Sequence, residues 1–331
     1  MLVSRSSFGA LPIQRVSFED AKKLLLVAYA NGMNFFDTAR MYTDSEQKIA
    51  YALKPYRKNI IIATKTHALD TKTFYEHLEQ SLKDLQTDYI DIYQLHHPKQ
   101  MPDPKNDQGL YRALVRAKDK GMVRFIGVSS HRQDIAKGTI SSDLYDTLQY
   151  PLNSLSNDDD VKIAQSCKPN NVGFIAMKAM SGGLLINARA TFAFLRQYDH
   201  VVPIWGAQRE SELKEILELE KNPPILNDEI WATIKKDRKE LAENFCRACG
   251  YCLPCPVEIP IPMAARMSLL LRRMPWQQFM TEEWQKNMQR IDACTECGDC
   301  RNRCPYGLDT PNLLKAMLVD YKEFRKKVSC Y

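Results

Sequence analysis

Cysteine spacing constrains this chain more than any other feature. The stretch Cys246-Arg-Ala-Cys249-Gly-Tyr-Cys252-Leu-Pro-Cys255-Pro256 is answered, after a spacer, by Cys294-Thr-Glu-Cys297-Gly-Asp-Cys300-Arg-Asn-Arg-Cys304-Pro305. Eight of the ten cysteines lie in these two boxes. The boxes form an internal repeat: C-x-x-C-G-x-C, two or three residues, then C-P. Two-residue gaps let three thiolates wrap one corner of an iron–sulfur cube, while a fourth Cys followed by Pro turns away to the other cluster of a pair. That reading puts Cys246, Cys249, Cys252 and Cys304 on one 4Fe-4S cluster, and Cys294, Cys297, Cys300 and Cys255 on a second. Two simpler readings compete. Paired C-x-x-C units hold zinc, and an even set of cysteines in a secreted chain forms disulfides. Zinc asks for two close pairs per ion, not a run of four closed by Pro. The first box departs from the bacterial-ferredoxin pattern, with two residues before its last Cys instead of three.

A length of 331 residues is too great for a cluster unit alone and suggests about two domains. The expected division is a barrel over 1–226, a connecting helix over 227–245 and a helical, ferredoxin-like two-cluster domain over 246–331. The formal charge is +6. It is spread along the chain with no basic arm, which argues against a nucleic-acid partner. No stretch of about 20 apolar residues could span a bilayer, and no leading apolar run resembles a signal peptide. Clusters and reduced thiols then fit a reducing cytoplasm.

The first 225 or so residues alternate apolar runs with amphipathic ones. Strands are expected at 8–11, 34–37, 60–65, 89–96, 124–129, 146–152, 172–178 and 201–205. Helices are expected at 21–31, 45–53, 73–85, 107–120, 158–166, 188–198 and 211–220. Strands alternating with helices imply parallel pairing, and eight such units suit a closed (β/α)8 TIM barrel. A doubly wound open sheet is the alternative, but no G-x-G-x-x-G follows an early strand. Beyond the barrel, two helices are expected over 261–291 and a last helix from Thr310 to about residue 327.

Polar residues end several of the apolar runs: Asp37, Lys65 and His96, with Tyr42 in the loop after Asp37. A carboxylate and an ammonium there are costly to bury unless paired. Together they make a coherent proton-donor site. Asp37 would hold Lys65 charged, Lys65 would lower the Tyr42 pKa, His96 would orient a bound oxygen, and Tyr42 would protonate an alkoxide as it forms. Taken singly, Asp37 could be a capping residue and Tyr42 an ordinary loop aromatic. His97 and His131 are expected to be solvated or structural.

Phe36-Asp37-Thr38-Ala39-x-x-Tyr42-x-x-Ser45-Glu46, Ala63-Thr64-Lys65, Leu95-His96-x-Pro98 and Gly121-x-Val123-Arg124-x-Ile126-Gly127-Val128-Ser129 together resemble the aldo-keto reductases over roughly residues 8–220. The added cysteine boxes resemble a branch of that family fused to a ferredoxin-like domain. The resemblance implies an oxidoreductase barrel that binds NADP(H) or NAD(H) and transfers hydride to a carbonyl carbon. Tyr42 would be the acid, supported by Asp37, Lys65 and His96. Ser129, Ser130 and Gln149 match positions that grip the nicotinamide amide. Met177 and Lys178 stand where the family often stacks an aromatic on the nicotinamide ring. Gly206 and Ala207 stand where it usually places Lys-Ser for the adenosine 2′-phosphate, with Glu212 and Ile216 nearby. Arg209 would supply some anion binding. The partner so implied is a small-molecule carbonyl or alcohol, with a redox partner protein for the clusters. Lys99 and Lys105 would favour an anionic substrate.

Nicotinamide moves two electrons as a hydride, a four-iron cluster moves one, and no flavin motif converts between them. Three functions fit: a carbonyl reductase with accessory clusters, a cluster-fed one-electron reductase without nicotinamide, or a non-catalytic electron carrier or sensor. Cys167 and Cys330 are expected to be unligated.

Overall fold

The computed structural model describes residues 1–241 and 245–328. Cys330 and the last part of the helix expected over 227–245 lie outside the described residues. Two compact units are present: Met1–Ala179 with Ala188–Ile234, and Met180–Asn187 with Lys235–Tyr331.

In the first unit, eight parallel strands close a barrel in sequence order. They are β1 (Ser7–Gly9), β2 (Phe35–Asp37), β3 (Ile61–Thr66), β4 (Ile90–His96), β5 (Val123–Ser129), β6 (Thr147–Pro151), β7 (Gly173–Met177) and β8 (Val201–Gly206). The ring closes where β1 pairs with β8, Phe8 opposite Trp205. The intervening helices are α1 (Phe18–Ala30), α2 (Ser45–Leu53), α3 (Thr71–Leu85), α4 (Leu110–Asp119), α5 (Gln133–Ser141), α6 (Asp158–Cys167), α7 (Ala188–Arg196) and α8 (Glu210–Lys221). Helix α1 starts where Ser17 Oγ accepts the Asp20 amide at 3.1 Å, and it buries Ala21, Leu24, Leu25 and Ala28. It stops before Gly32, whose φ of +90° suits glycine. Helix α5 is missing from the sequence reading. Gly138, Thr139 and Ser141 are weak helix formers, and packing of Ile135, Ala136 and Ile140 overrides that preference.

Residues two apart on a strand share a face. Phe35, Ile61, Ala63, Ile92, Ile175, Met177 and Ile204 form one buried cluster, as inward residues of a small barrel do. Each fully buried Ile or Phe contributes roughly 1.5–3 kcal/mol relative to exposure. The same period carries Asp37, Lys65, Gln94 and His96 onto the inward rows, above that apolar floor, at the C-terminal ends of the strands. Gly127 lets β5 and β6 approach: a Cβ there would lie 2.1 Å from Thr147 Oγ1 and 2.7 Å from Thr147 O. Their register then sets Ser129 opposite Gln149.

The second unit is helical and irregular. Helix α9 (Asp228–Glu240) enters it, and α10 (Ile261–Ala264), α11 (Met267–Arg273), α12 (Glu282–Gln289), α13 (Asp299–Asn302) and α14 (Thr310–Val328) follow. Three short helices thus replace the two expected over 261–291. The first turn ends at Ala265 and Arg266, and Pro275 separates α11 from α12. Arg266 is buried and donates to the carbonyls of Pro262 and Gly182 at 3.0 and 3.2 Å. Arg273 donates to Leu184 O at 2.8 Å and pairs with Asp237 and Glu240.

Candidate functional site

Asp37 and Lys65 meet because β2 and β3 are neighbours. Lys65 Nζ lies 2.7 and 2.8 Å from the two Asp37 carboxylate oxygens and donates to Thr38 O at 2.6 Å. Lys65 is 0% and Asp37 2% exposed. Burial pushes the Asp37 carboxyl up and the Lys65 ammonium down, and their direct contact opposes both shifts. Three acceptors around one ammonium are what a buried charge needs.

The Tyr42 ring is half-buried beside this pair, its centroid 5.4 Å from Lys65 Nζ. The His96 ring meets it edge-on at 6.0 Å. Burial, and then the Asp37 carboxylate, push the Tyr42 phenol well above its ordinary pKa of 10.0. This corrects the expectation that Lys65 lowers it. Lys65 spends its charge on Asp37, so the phenol experiences burial and a nearby carboxylate. Tyr42 is therefore a protonated phenol at neutral pH. His96 is held well below the usual imidazole range by burial, with His97 and Lys65 adding to it. It is a neutral ring, 8% exposed, and its Nδ1 has no hydrogen-bond partner among the described residues. His97 is half-buried and His131 buried, the structural of the two expectations. The His97 ring lies 4.0 Å from that of His96 and 5.6 Å from that of His131, which is buried.

Two further groups escaped the sequence reading. Gln94 is fully buried and donates to Gln149 Oε1 at 2.9 Å, and Gln149 Nε2 reaches Asp37 at 3.3 Å. An amide in the middle of an apolar strand was the available signal. Arg40 donates at 2.5 Å to both Glu46 and Asp84, while Thr64 donates to the other Glu46 oxygen at 2.6 Å. This buried network, with the Lys48–Asp44 pair at 2.8 Å, anchors the loop that carries Tyr42 on both sides.

The residues expected to contact a nucleotide fall in different surroundings. Ser129 and Ser130 are buried at the end of β5, and the Ser129 hydroxyl has no partner among the described residues. Gln149 is already engaged by Gln94 and Asp37. Met177 belongs to the apolar cluster of the barrel interior, and Lys178 follows it with φ 61°. Gly206 ends β8 on the surface and Ala207 is buried. Arg209, expected to supply some anion binding, is paired with Glu212. Its Nε and Nη2 donate to Glu212 Oε1 at 2.9 and 2.7 Å, while Glu212 Oε2 accepts the amides of Gln208 and Arg209. Glu212 thus occupies the N-terminus of α8, where an anion would otherwise sit.

In the second unit, one recess is lined by Cys246, Cys249, Cys252 and Cys304, and another by Cys252, Cys255, Cys294, Cys297 and Cys300. No disulfide joins these cysteines. Each box turns through left-handed residues, Ala248 and Gly250 in the first, Glu296 and Gly298 in the second. Burial, and then neighbouring Cys246 and Cys249, push the Cys252 thiol up to about 12. Thiolates crowded in this way require a compensating cation. Among the described residues no three of His, Cys, Asp or Glu converge as a single metal ion requires. The thiols ring two hollows instead, which fits a polynuclear cluster better than zinc.

Comparison with known proteins agrees with this division. Residues 6–193 match the model of the aldo/keto reductase family, and residues 245–309 match that of a 4Fe-4S dicluster domain. Aldo-keto reductase YhdN of Bacillus subtilis (strain 168) is 31% identical over 173 residues, covering 48% of this chain and 51% of its own length. Methylglyoxal reductase DkgA of Yersinia pestis is 34% identical over 123 residues, covering 36% and 43%. The chain spans about half the length of these curated relatives. The holo form of aldo-keto reductase AKR11C1 from Bacillus halodurans shares the fold with a TM-score of 0.63 at 22% identity, covering 72% of this chain and 93% of its own. An aldo-keto reductase from Klebsiella pneumoniae in complex with NADPH gives 0.61 at 20% identity, covering 71% and 90%. No helix among the described residues is long and apolar enough to cross a membrane. The chain belongs to the aldo/keto reductase family of oxidoreductases and carries, after its barrel, a 4Fe-4S dicluster domain.

Proposed function

We propose that the barrel reduces the carbonyl group of a small molecule, or oxidises the corresponding alcohol, with NADP(H) or NAD(H). One observation carries this reading: Tyr42 lies beside a buried Lys65–Asp37 pair and the His96 ring. When bound, nicotinamide supplies the hydride. His96 donates a hydrogen bond to the carbonyl oxygen. As the new C–H bond forms and the C=O π bond breaks, the alkoxide takes the Tyr42 proton, leaving a phenolate beside the Lys65–Asp37 pair. Asp37 keeps Lys65 in place and charged. Ser129 and Ser130 would hold the nicotinamide amide, and the unpartnered Ser129 hydroxyl suits that role. Met177 and Lys178 would flank the ring, and Gly206 and Ala207 are assigned to the adenosine end on the resemblance alone.

In the second unit, Cys246, Cys249, Cys252 and Cys304 would hold one cluster, and Cys255, Cys294, Cys297 and Cys300 the other. These would pass single electrons to or from a redox partner protein. A second reading rests on Arg209. Its pairing with Glu212 leaves a poor grip for a 2′-phosphate. That favours NAD(H) over NADP(H), or a reaction fed by the clusters without nicotinamide. Titrating NADPH and NADH into the anaerobically prepared, cluster-loaded chain, with Trp fluorescence as the signal, separates these readings. Binding of either nucleotide, followed by its oxidation on adding a carbonyl, is the expected result. Binding of neither contradicts the nicotinamide reading.

A further inference from the structure

The two cysteine boxes share a backbone frame but not its charge. Ala248 (φ 49°) corresponds to Glu296 (φ 55°), and Gly250 (φ 86°) to Gly298 (φ 78°). The turn after each last cysteine is also the same: Glu258 N donates to Cys255 O at 3.0 Å, and Gly307 N to Cys304 O at 3.2 Å. From the first to the third cysteine, where the backbones are alike, the side chains between the thiols make the difference.

The first box places Arg247 in the wall of the recess formed with Cys246, Cys249 and Cys304. Its guanidinium lies 4.5 Å from the ring centroids of both Phe245 and Tyr306. Its Nη1 donates to Phe245 O at 3.3 Å, and no carboxylate among the described residues pairs with it. The second box has Thr295 at that position. Glu296 and Asp299 line its recess, and each is neutralised, Glu296 by Lys315 and Asp299 by Arg303 at 2.6 Å. Among the described residues, one recess therefore carries a cation held between two rings and without a carboxylate partner. The other carries carboxylates paired with Lys315 and Arg303, and Arg301, between its third and fourth cysteines, is exposed to solvent and does not line the recess.

We infer that Arg247 separates the reduction potentials of the two clusters, making the one held by Cys246, Cys249, Cys252 and Cys304 easier to reduce. This rests on the ligand assignment above, which iron and sulfide content tests separately. Reduction adds one electron, and hence one negative charge, to a four-iron cluster, and fixed positive charge nearby stabilises that state. The two ring faces hold the guanidinium by cation–π contact and shield it from water, so its field is less screened than that of a mobile surface lysine. Cys297, in the second box, is exposed, and water there also favours added charge. The contribution of Arg247 is therefore read from its removal, not from the wild-type difference alone.

The test is a dithionite titration of the holoprotein followed by electron paramagnetic resonance. Wild type should show two separate one-electron waves. Arg247→Gln should move the higher wave to more negative potential and leave the lower one in place. Thr295→Arg, which installs the cation in the second box, should move the lower wave up. If Arg247→Gln fails to load iron, Thr295→Arg decides alone. Waves that stay put, or that move together, in a variant with wild-type iron and sulfide would overturn the inference.

Discussion

In the barrel, Lys65 and Asp37 stand 28 residues apart and meet at 2.7 Å. Gln149 reaches the same carboxylate from 112 residues away. In the second unit, Cys246, Cys249 and Cys252 lie within a single turn-rich stretch, and so do Cys294, Cys297 and Cys300. The first site is assembled by eight paired strands and would keep its shape with nothing bound. The second is set by spacing, with short helices and crowded thiols that oppose one another until metal joins them. Chemistry imposed by a fold is therefore expected to survive cofactor loss, whereas chemistry set by spacing is expected to depend on its cofactor for order.

Removing iron should make the largest difference. Metal binding to such a site is folding free energy. Chelation under oxidising conditions should open residues 245–309 to hydrogen exchange while the barrel strands stay protected. Loss of protection in β3 and β4 at the same rate would erase the distinction. Cys297→Ala should reproduce the effect in part, with weaker cluster absorbance.

Next is the buried ion pair. Lys65→Met leaves the Asp37 carboxylate without its cation, and breaking a buried pair costs about 3–5 kcal/mol. Denaturant unfolding of the barrel should report that loss, and adding Asp37→Asn should restore part of it. A single variant as stable as wild type would mean that the charges are not what the barrel holds in place.

An effect of comparable order is expected from acid. Burial, with the Lys65 and Lys178 charges, pushes His97 down to about 3 from its ordinary 6.5. Between those values the unfolded chain binds more protons than the folded one, so stability rises with pH. The contribution is full above pH 6.5 and is lost progressively as pH falls toward about 3. Thermal melts against pH should show this slope, and His97→Asn should lessen it, with His96, also held neutral by burial, keeping the remainder.

The smallest effect is expected at Arg209. An exposed ion pair is worth about 0–1 kcal/mol, and Arg209→Ala should change both stability and nucleotide affinity little. A tenfold loss of NADPH binding would show that Arg209 leaves Glu212 to hold an anion.

Different parts of the molecule were legible for different reasons. Strands β3 and β4 read directly because both faces are buried and the apolar run is continuous. The cysteine boxes read directly because their chemistry is local. Helix α5 did not, because its local preference opposes its packing. The proximity of Tyr42 to Lys65 was legible from strand-end order, but the direction of the Tyr42 shift was not: sequence names the neighbours, not the depth of burial or the carboxylate that consumes the lysine's charge. The pairing of Arg209 with Glu212, three residues on, was legible only as a possible short-range ion pair; the expected anion binding by Arg209 remains for the nucleotide titration to decide. Gln94 could have been suspected as an inward amide two residues before His96.

The central claim is that a proton leaves the Tyr42 phenol during carbonyl reduction in the barrel. Tyr42→Phe, loaded with clusters and assayed for carbonyl-dependent oxidation of bound nicotinamide, measures it most directly. Turnover should fall by roughly 10²–10⁴-fold, the usual worth of a positioned acid, while nucleotide binding and cluster absorbance stay as in wild type. Turnover at the wild-type rate would contradict the claim.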